Sequence, residues 1–159
     1  MHITPPPPNL RQVHLIPNEI LAACDLVPGQ IGENVTTVGI DLLALGKGTR
    51  LHFLPPAPSY NGNSTDGDGG DDTHEESEAV GRTDHPIVTI QGLRNPCPQI
   101  EKFRRGLQEM FIVRDSERRI VERKAGVMAT VEVGGTVCVG MRVVVERAAV
   151  GGFVALGCV

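Results

Sequence analysis

Cys97 stands in Leu93-Arg94-Asn95-Pro96-Cys97-Pro98, three residues after an arginine and directly before a proline. A thiol acts as a nucleophile or binds a soft metal only as the thiolate, and nearby positive charge or unpaired amide N–H groups lower its pKa. Pro98 suits the first turn of a helix, where its missing N–H would have no partner, which puts Cys97 at or beside the N-cap. The positive end of that helix, together with Arg94, then favours the thiolate. The opposing reading is a small buried hydrophobe, the commonest fate of a free cysteine.

The elements around Cys97 follow from side-chain periodicity. Ile87, Val88, Thr89 and Ile90 suit a strand that Gly92 ends, and Ile100, Phe103, Leu107 and Met110 recur at the spacing of one helix face. Upstream, Arg11-Gln-Val-His-Leu-Ile alternates like a half-buried strand, with His14 read first as a hydrogen-bonded structural residue, and residues 19–24 suit a short helix. Gly32 lets the chain approach a ligand closely at Glu33 and Asn34, the alternative being a plain turn. Gly46-Lys47-Gly48 turns into a strand over 49–53. Residues 114–124 read as a charged connection, and 126–133, 136–140 and 141–146 as consecutive strands joined by tight glycine turns. That reading places Cys138 on a strand face as a structural residue.

A chain of 159 residues is one domain with a real core. With 3% aromatics and no Trp, that core must come from Val, Ile, Leu and Ala, which points to a mostly β fold. Cys24, Cys97, Cys138 and Cys158 form no CxxC pair, so neither a zinc site nor a disulfide framework is suggested, and reduced thiols in a cytoplasmic protein are expected. There is no apolar signal-peptide core and no run long enough for a membrane span. Residues 1–10 are a proline-rich lead, 11–147 the domain, and 148–159 an apolar, glycine-rich tail. Within the domain, 56–85 is an acidic insertion with almost nothing apolar to bury, and it is expected to be disordered. Its Asp66-Gly-Asp-Gly-Gly-Asp-Asp lacks the spacing and final glutamate of a calcium loop. Eight acids stand there against Arg82, so the remainder is mildly basic, which suits an anionic small ligand. Without interleaved aromatics or a nucleic-acid motif, no DNA or RNA partner is expected.

Taken in order, Arg11-Gln-Val-His-Leu-Ile, Pro28-Gly-Gln-Ile-Gly-Glu-Asn-Val-Thr, Gly39-Ile-Asp-Leu, Leu93-Arg-Asn-Pro-Cys-Pro, Gly126-Val-Met-Ala, Gly134-Gly and Val139-Gly140 resemble the landmarks of the MOSC domain family. That family comprises the C-terminal domain of molybdenum cofactor sulfurases and stand-alone forms. The resemblance implies a β-barrel with one or two helices that binds the molybdenum cofactor (molybdopterin). Its activity would be sulfur handling for that cofactor or, as in the hydroxylaminopurine-resistance branch, reduction of N-hydroxylated compounds. It further implies Cys97 as catalytic residue and metal ligand, with Arg94, Asn95, Glu33, Asn34, Arg11 and His14 binding cofactor. Implied partners are a sulfur-donor or reductase protein, with pyridoxal phosphate confined to a separate desulfurase. The family places further strands ahead of the Arg-Gln-Val strand, where this chain has ten mostly proline-rich residues, so an N-terminally truncated barrel is expected. The position after Gly140 is commonly acidic in the family and is Met141 here. The alternative class is a non-catalytic cofactor-binding or interaction module, or a truncated inactive copy. A thiol hydrolase ranks below both, because neither His14 nor His52 can be tied to Cys97 as a base.

Overall fold

A computed structural model describes residues 7–56, 85–148 and 153–159. Apart from Pro56 and His85, the acidic insertion lies outside those residues, and with it the expectation of disorder. The described chain is mostly β. Strands β1 (Val13–Pro17), β2 (Val35–Thr37), β3 (Arg50–Leu54), β4 (Ile87–Leu93), β7 (Val127–Val133) and β8 (Arg142–Glu146) form one sheet in the order β2-β1-β7-β4-β3-β8. Strands β5 (Ile112–Arg114) and β6 (Ile120–Arg123) form a separate two-stranded sheet. All pairings are antiparallel except β1 with β2, whose parallel connection carries the short helix α1 (Asn18–Ala23). The large sheet curls as a half-barrel with β2 and β8 at its two ends.

Strand β1 divides the interior in two because successive side chains point to opposite faces. Leu15 joins Leu51, Phe53, Val88, Ile90 and Val127 in one core, whereas Ile16 joins Leu21, Ile31, Ile100, Leu107 and Phe111 in the other. Fully buried side chains such as Phe53 and Phe111 each contribute roughly 1.5–3 kcal/mol. His14 shares a strand face with Ile16, so it enters the second core, the one bounded by the helices.

Several expectations are corrected. The single helix face after Cys97 is two helices, α2 (Pro98–Phe103) and α3 (Leu107–Met110). Arg104 leaves the helix in an extended conformation and donates to the carbonyls of Cys24 and Asp25, while Gly106 turns the chain at φ +82°. The Glu101 carboxylate accepts from the N–H groups of Gly106 and Gln108 at 2.8 and 3.2 Å, tying the two helices. Ile100 and Leu107 are therefore buried, but Phe103 and Met110 are about half exposed. The charged connection is the β5–β6 hairpin, whose turn is closed by Asp115 accepting from the N–H groups of Glu117 and Arg119. A two-stranded ribbon carries its charges on open faces, which hides its period.

Gly92 does not end its strand; it lies inside β4 at a register shift, and Leu93 continues by donating to the Gly157 carbonyl. The tail thus runs beside β4, with a bridge from Leu93 to Cys158. Residues 136–140 are not a strand, and Cys138 is exposed rather than structural. The cause is topological. Strand β8 pairs with β3, so β4 and β3 lie between β7 and β8 and the connection must cross about 14 Å, three inter-strand spacings, which no tight turn spans.

Candidate functional site

The site forms where β1, the end of β4 and the start of α2 meet. Arg94 directly follows β4, and its N–H donates to the Gly126 carbonyl at 2.9 Å, fixing the loop that leads to Cys97. Gly126 itself is pressed against β1. With φ +89°, an added Cβ there would lie 2.3 Å from the Leu15 carbonyl oxygen and 3.0 Å from His14 Nε2. Only glycine fits that position.

His14 is buried among these groups. Its Nδ1 lies 2.7 Å from Arg94 Nη1, and its Nε2 lies 2.7 Å from the Ala125 carbonyl oxygen. A guanidinium only donates, so Nδ1 is the acceptor and Nε2 carries the proton given to Ala125. Burial first, and the Arg94 charge second, lower the His14 pKa to about 4, against the opposing pull of the Ala125 carbonyl, Glu33 and Gly32. Arg94 Nη1 also donates to the Ile31 carbonyl at 3.1 Å.

Cys97 is the N-cap of α2 and is partly exposed, with its carbonyl accepting from Ile100 N–H. Burial alone would raise its thiol pKa, but the amides of Ile100 and Gln99 and the Arg94 guanidinium outweigh it and hold the thiol below the usual value. The sulfur borders an open hollow of about 130 Å³ lined by Gln30, Ile31, Arg94, Gln99 and Phe103 among others. Cys24 differs: it is buried, and burial pushes its thiol up.

The other expected residues are placed as follows. Glu33 accepts from the N–H groups of Gly29 and Ile31 and from the Thr36 hydroxyl, so its carboxylate folds the loop before β2 while its charge still reaches His14 and Arg94. Asn34 clips that loop to β1, its side chain accepting from His14 N–H at 2.8 Å and its N–H donating to the His14 carbonyl at 2.9 Å. Both residues border a separate hollow of about 570 Å³ next to Asn18, Pro28, Thr36 and Val38. Arg11 is exposed and adds a second positive charge near Arg94. Asn95 accepts from Arg123 on β6. Arg94, His14, Cys97 and Glu33 are thus brought together, with Arg11 at the margin, whereas Asn34 and Asn95 serve the surrounding loops.

Sequence reasoning missed the carbonyls of Ile31 and Ala125, Gly126 as the point of closest approach, and Gln99 and Phe103 as walls of the hollow. The glycine directly after the charged stretch was the available signal for the second of these. Among the described residues no group of three His, Cys, Asp or Glu side chains converges as a metal cage, and no helix is long and apolar enough to cross a membrane. Comparison with known protein families, with curated proteins and with solved structures finds no match to this chain.

Proposed function

We propose that the chain is a MOSC-like, molybdenum cofactor-binding protein in which Cys97 handles sulfur for the cofactor or takes part in reducing N-hydroxylated compounds. The observation that carries this reading is the contrast among thiols: Cys97 alone combines a lowered pKa, partial exposure, a neighbouring half-buried arginine and an open hollow. A soft thiolate suits molybdenum or sulfane sulfur. The donor set fits as well. Cys97 would be the one protein ligand to a metal that arrives already chelated, and Arg94 and Arg11 would face anionic groups around it. When bound, the molybdenum cofactor would supply the redox chemistry at the metal.

For sulfur handling, the chain's own step is nucleophilic. The Cys97 thiolate attacks the outer sulfur of a donor persulfide, the donor S–S bond breaks, the donor leaves as its thiolate, and a persulfide remains on Cys97. Arg94 stabilises the negative charge on Cys97 before and after transfer. The donor would be a separate desulfurase carrying its own pyridoxal phosphate.

The test is alkylation of the native protein read by peptide mass, together with cofactor and persulfide loading of wild type and Cys97→Ser. Cys97 is expected to react fastest of the four thiols near neutral pH, and loading is expected to disappear in the serine variant. Equal loading of both proteins would sink the reading and leave the non-catalytic module.

A further inference from the structure

Arg94 is the charged group next to Cys97 and, like Arg104, is held by no carboxylate. Its two side-chain anchors are a neutral imidazole nitrogen and a backbone carbonyl. Arg50, Arg114 and Arg119 are each paired with carboxylates, but no ion pair within 4.0 Å forms at Arg94 among the described residues. Glu33, the acid whose field reaches it, is engaged by the amides of Gly29 and Ile31. A carboxylate anchor would both orient a guanidinium and cancel its charge, whereas a neutral acceptor orients it and leaves the charge for something else.

We propose that His14 is a positioning residue: its neutral ring fixes the Arg94 guanidinium beside Cys97 without neutralising it, so that no protein carboxylate cancels the charge Arg94 offers to the Cys97 thiolate and to an anionic ligand in the hollow. Both ring nitrogens are engaged, Nδ1 by Arg94 and Nε2 by the Ala125 carbonyl, and the ring is buried. His14 therefore acts through Arg94 rather than by touching a ligand. The arrangement needs the ring in one tautomer, and Ala125 enforces it, because Nε2–H facing that carbonyl leaves Nδ1 free to accept. Gly126 allows the carbonyl to come so close to β1. The charged groups around His14 are Arg94, Glu33 and, behind Arg94, Arg11 and Cys97. This inference rests on the reading of Cys97 as the reactive centre.

The test compares alkylation of Cys97 by anionic iodoacetate and neutral iodoacetamide at one pH. The thiolate fraction cancels in the ratio of the two rates, which leaves the effect of a placed positive charge. Relative to the same cysteine in the urea-unfolded chain, wild type is expected to favour the anionic reagent by about fivefold. His14→Leu, which has no acceptor, should bring the ratio down to the unfolded value. His14→Asn, whose amide oxygen falls near the Nδ1 position, should restore most of it. A second measurement uses wild type alone: ¹⁵N spectra should show separate, slowly exchanging Nη signals for Arg94, as expected of an anchored guanidinium. Should His14→Leu fold and keep the wild-type ratio, the inference fails while the reactive cysteine stands. Averaged Arg94 Nη signals in wild type would also overturn it, even if every His14 variant unfolds. Slow alkylation of Cys97 by both reagents would overturn the underlying reading instead.

Discussion

Arg94, directly after β4, and Arg50, on β3, are held in opposite ways. Arg50, on β3, donates through Nε and Nη2 to both oxygens of Glu132 and through Nη1 to Glu146. Thr89 also donates to Glu132, and His52 lies 2.7 Å from Glu146 and 2.9 Å from His85. Donating to Glu132 and Glu146 pushes the Arg50 pKa up; the Arg50 hydrogen bond pulls the Glu132 carboxyl down, and the His52 contact first and Arg50 second pull the Glu146 carboxyl down. That charge is quenched on an open face of the sheet, where ion pairs stabilise little. Arg94 is half-buried, has neutral anchors and stands beside a thiol with a lowered pKa. A guanidinium given two carboxylates is part of a surface; one given an imidazole and a carbonyl keeps a charge that can act on its neighbour.

The largest expected effect comes from collapsing the buried end. Gly126→Ala forces a side chain onto the Leu15 carbonyl and a positive φ onto an L-residue. The expected cost is about 3 kcal/mol or more, read by urea unfolding. The same change at Gly140, where φ is +87° but nothing lies within 4 Å, should cost about 1 kcal/mol. Equal losses at the two positions would mean that backbone conformation, not the pressure of Gly126 on His14 and Leu15, governs the region.

Next comes pH. His14 has a folded-state pKa of about 4 against an ordinary 6.5, so the unfolded chain takes up a proton that the native protein refuses. Stability is therefore undiminished above pH 6.5 and falls as pH drops from 6.5 toward 4, by about 3 kcal/mol in all. Other acids titrate in the lower part of this window, so the quantity to measure is the difference in slope between wild type and His14→Asn, which cannot titrate there. Identical slopes would show that His14 is not held neutral and that the buried network is no more demanding than the exposed one.

The legible part of this comparison was local. β-branched and alternating residues marked β1, β3, β4, β7 and β8, and Pro98 correctly marked Cys97 as the residue before a helix. The split between α2 and α3 was masked because Ile100 and Leu107 keep helical spacing across Gly106, although Arg104 and Gly106 both leave the helix. The pairing of β8 with β3 was not legible from Gly134-Gly135, which resembles a hairpin turn when the strand order is unknown. At the site, Cys97 and Arg94 lie close in sequence, but the His14–Arg94 contact joins positions 80 residues apart and the Ala125 carbonyl joins His14 across 111. Side-chain type could nominate His14; only the meeting of β1 with the loop after β4 shows that its partner is a guanidinium.

The smallest effect is expected at Arg50. Arg50→Gln leaves Glu132 with Thr89 and Glu146 with His52, and both carboxylates are open to water that can solvate them. A slight drop in melting temperature at low salt is expected, vanishing at high salt as screening removes the repulsion between the two acids. The iodoacetate-to-iodoacetamide ratio at Cys97 should not move, because the lost charge was already compensated by two carboxylates. A loss that persists at high salt would instead assign Arg50 a packing role for its hydrocarbon stem across β3 and β8, since packing is indifferent to ionic strength. A shifted ratio at Cys97 would mean that the two regions are coupled through the sheet, and the division between quenched and available charge would no longer hold.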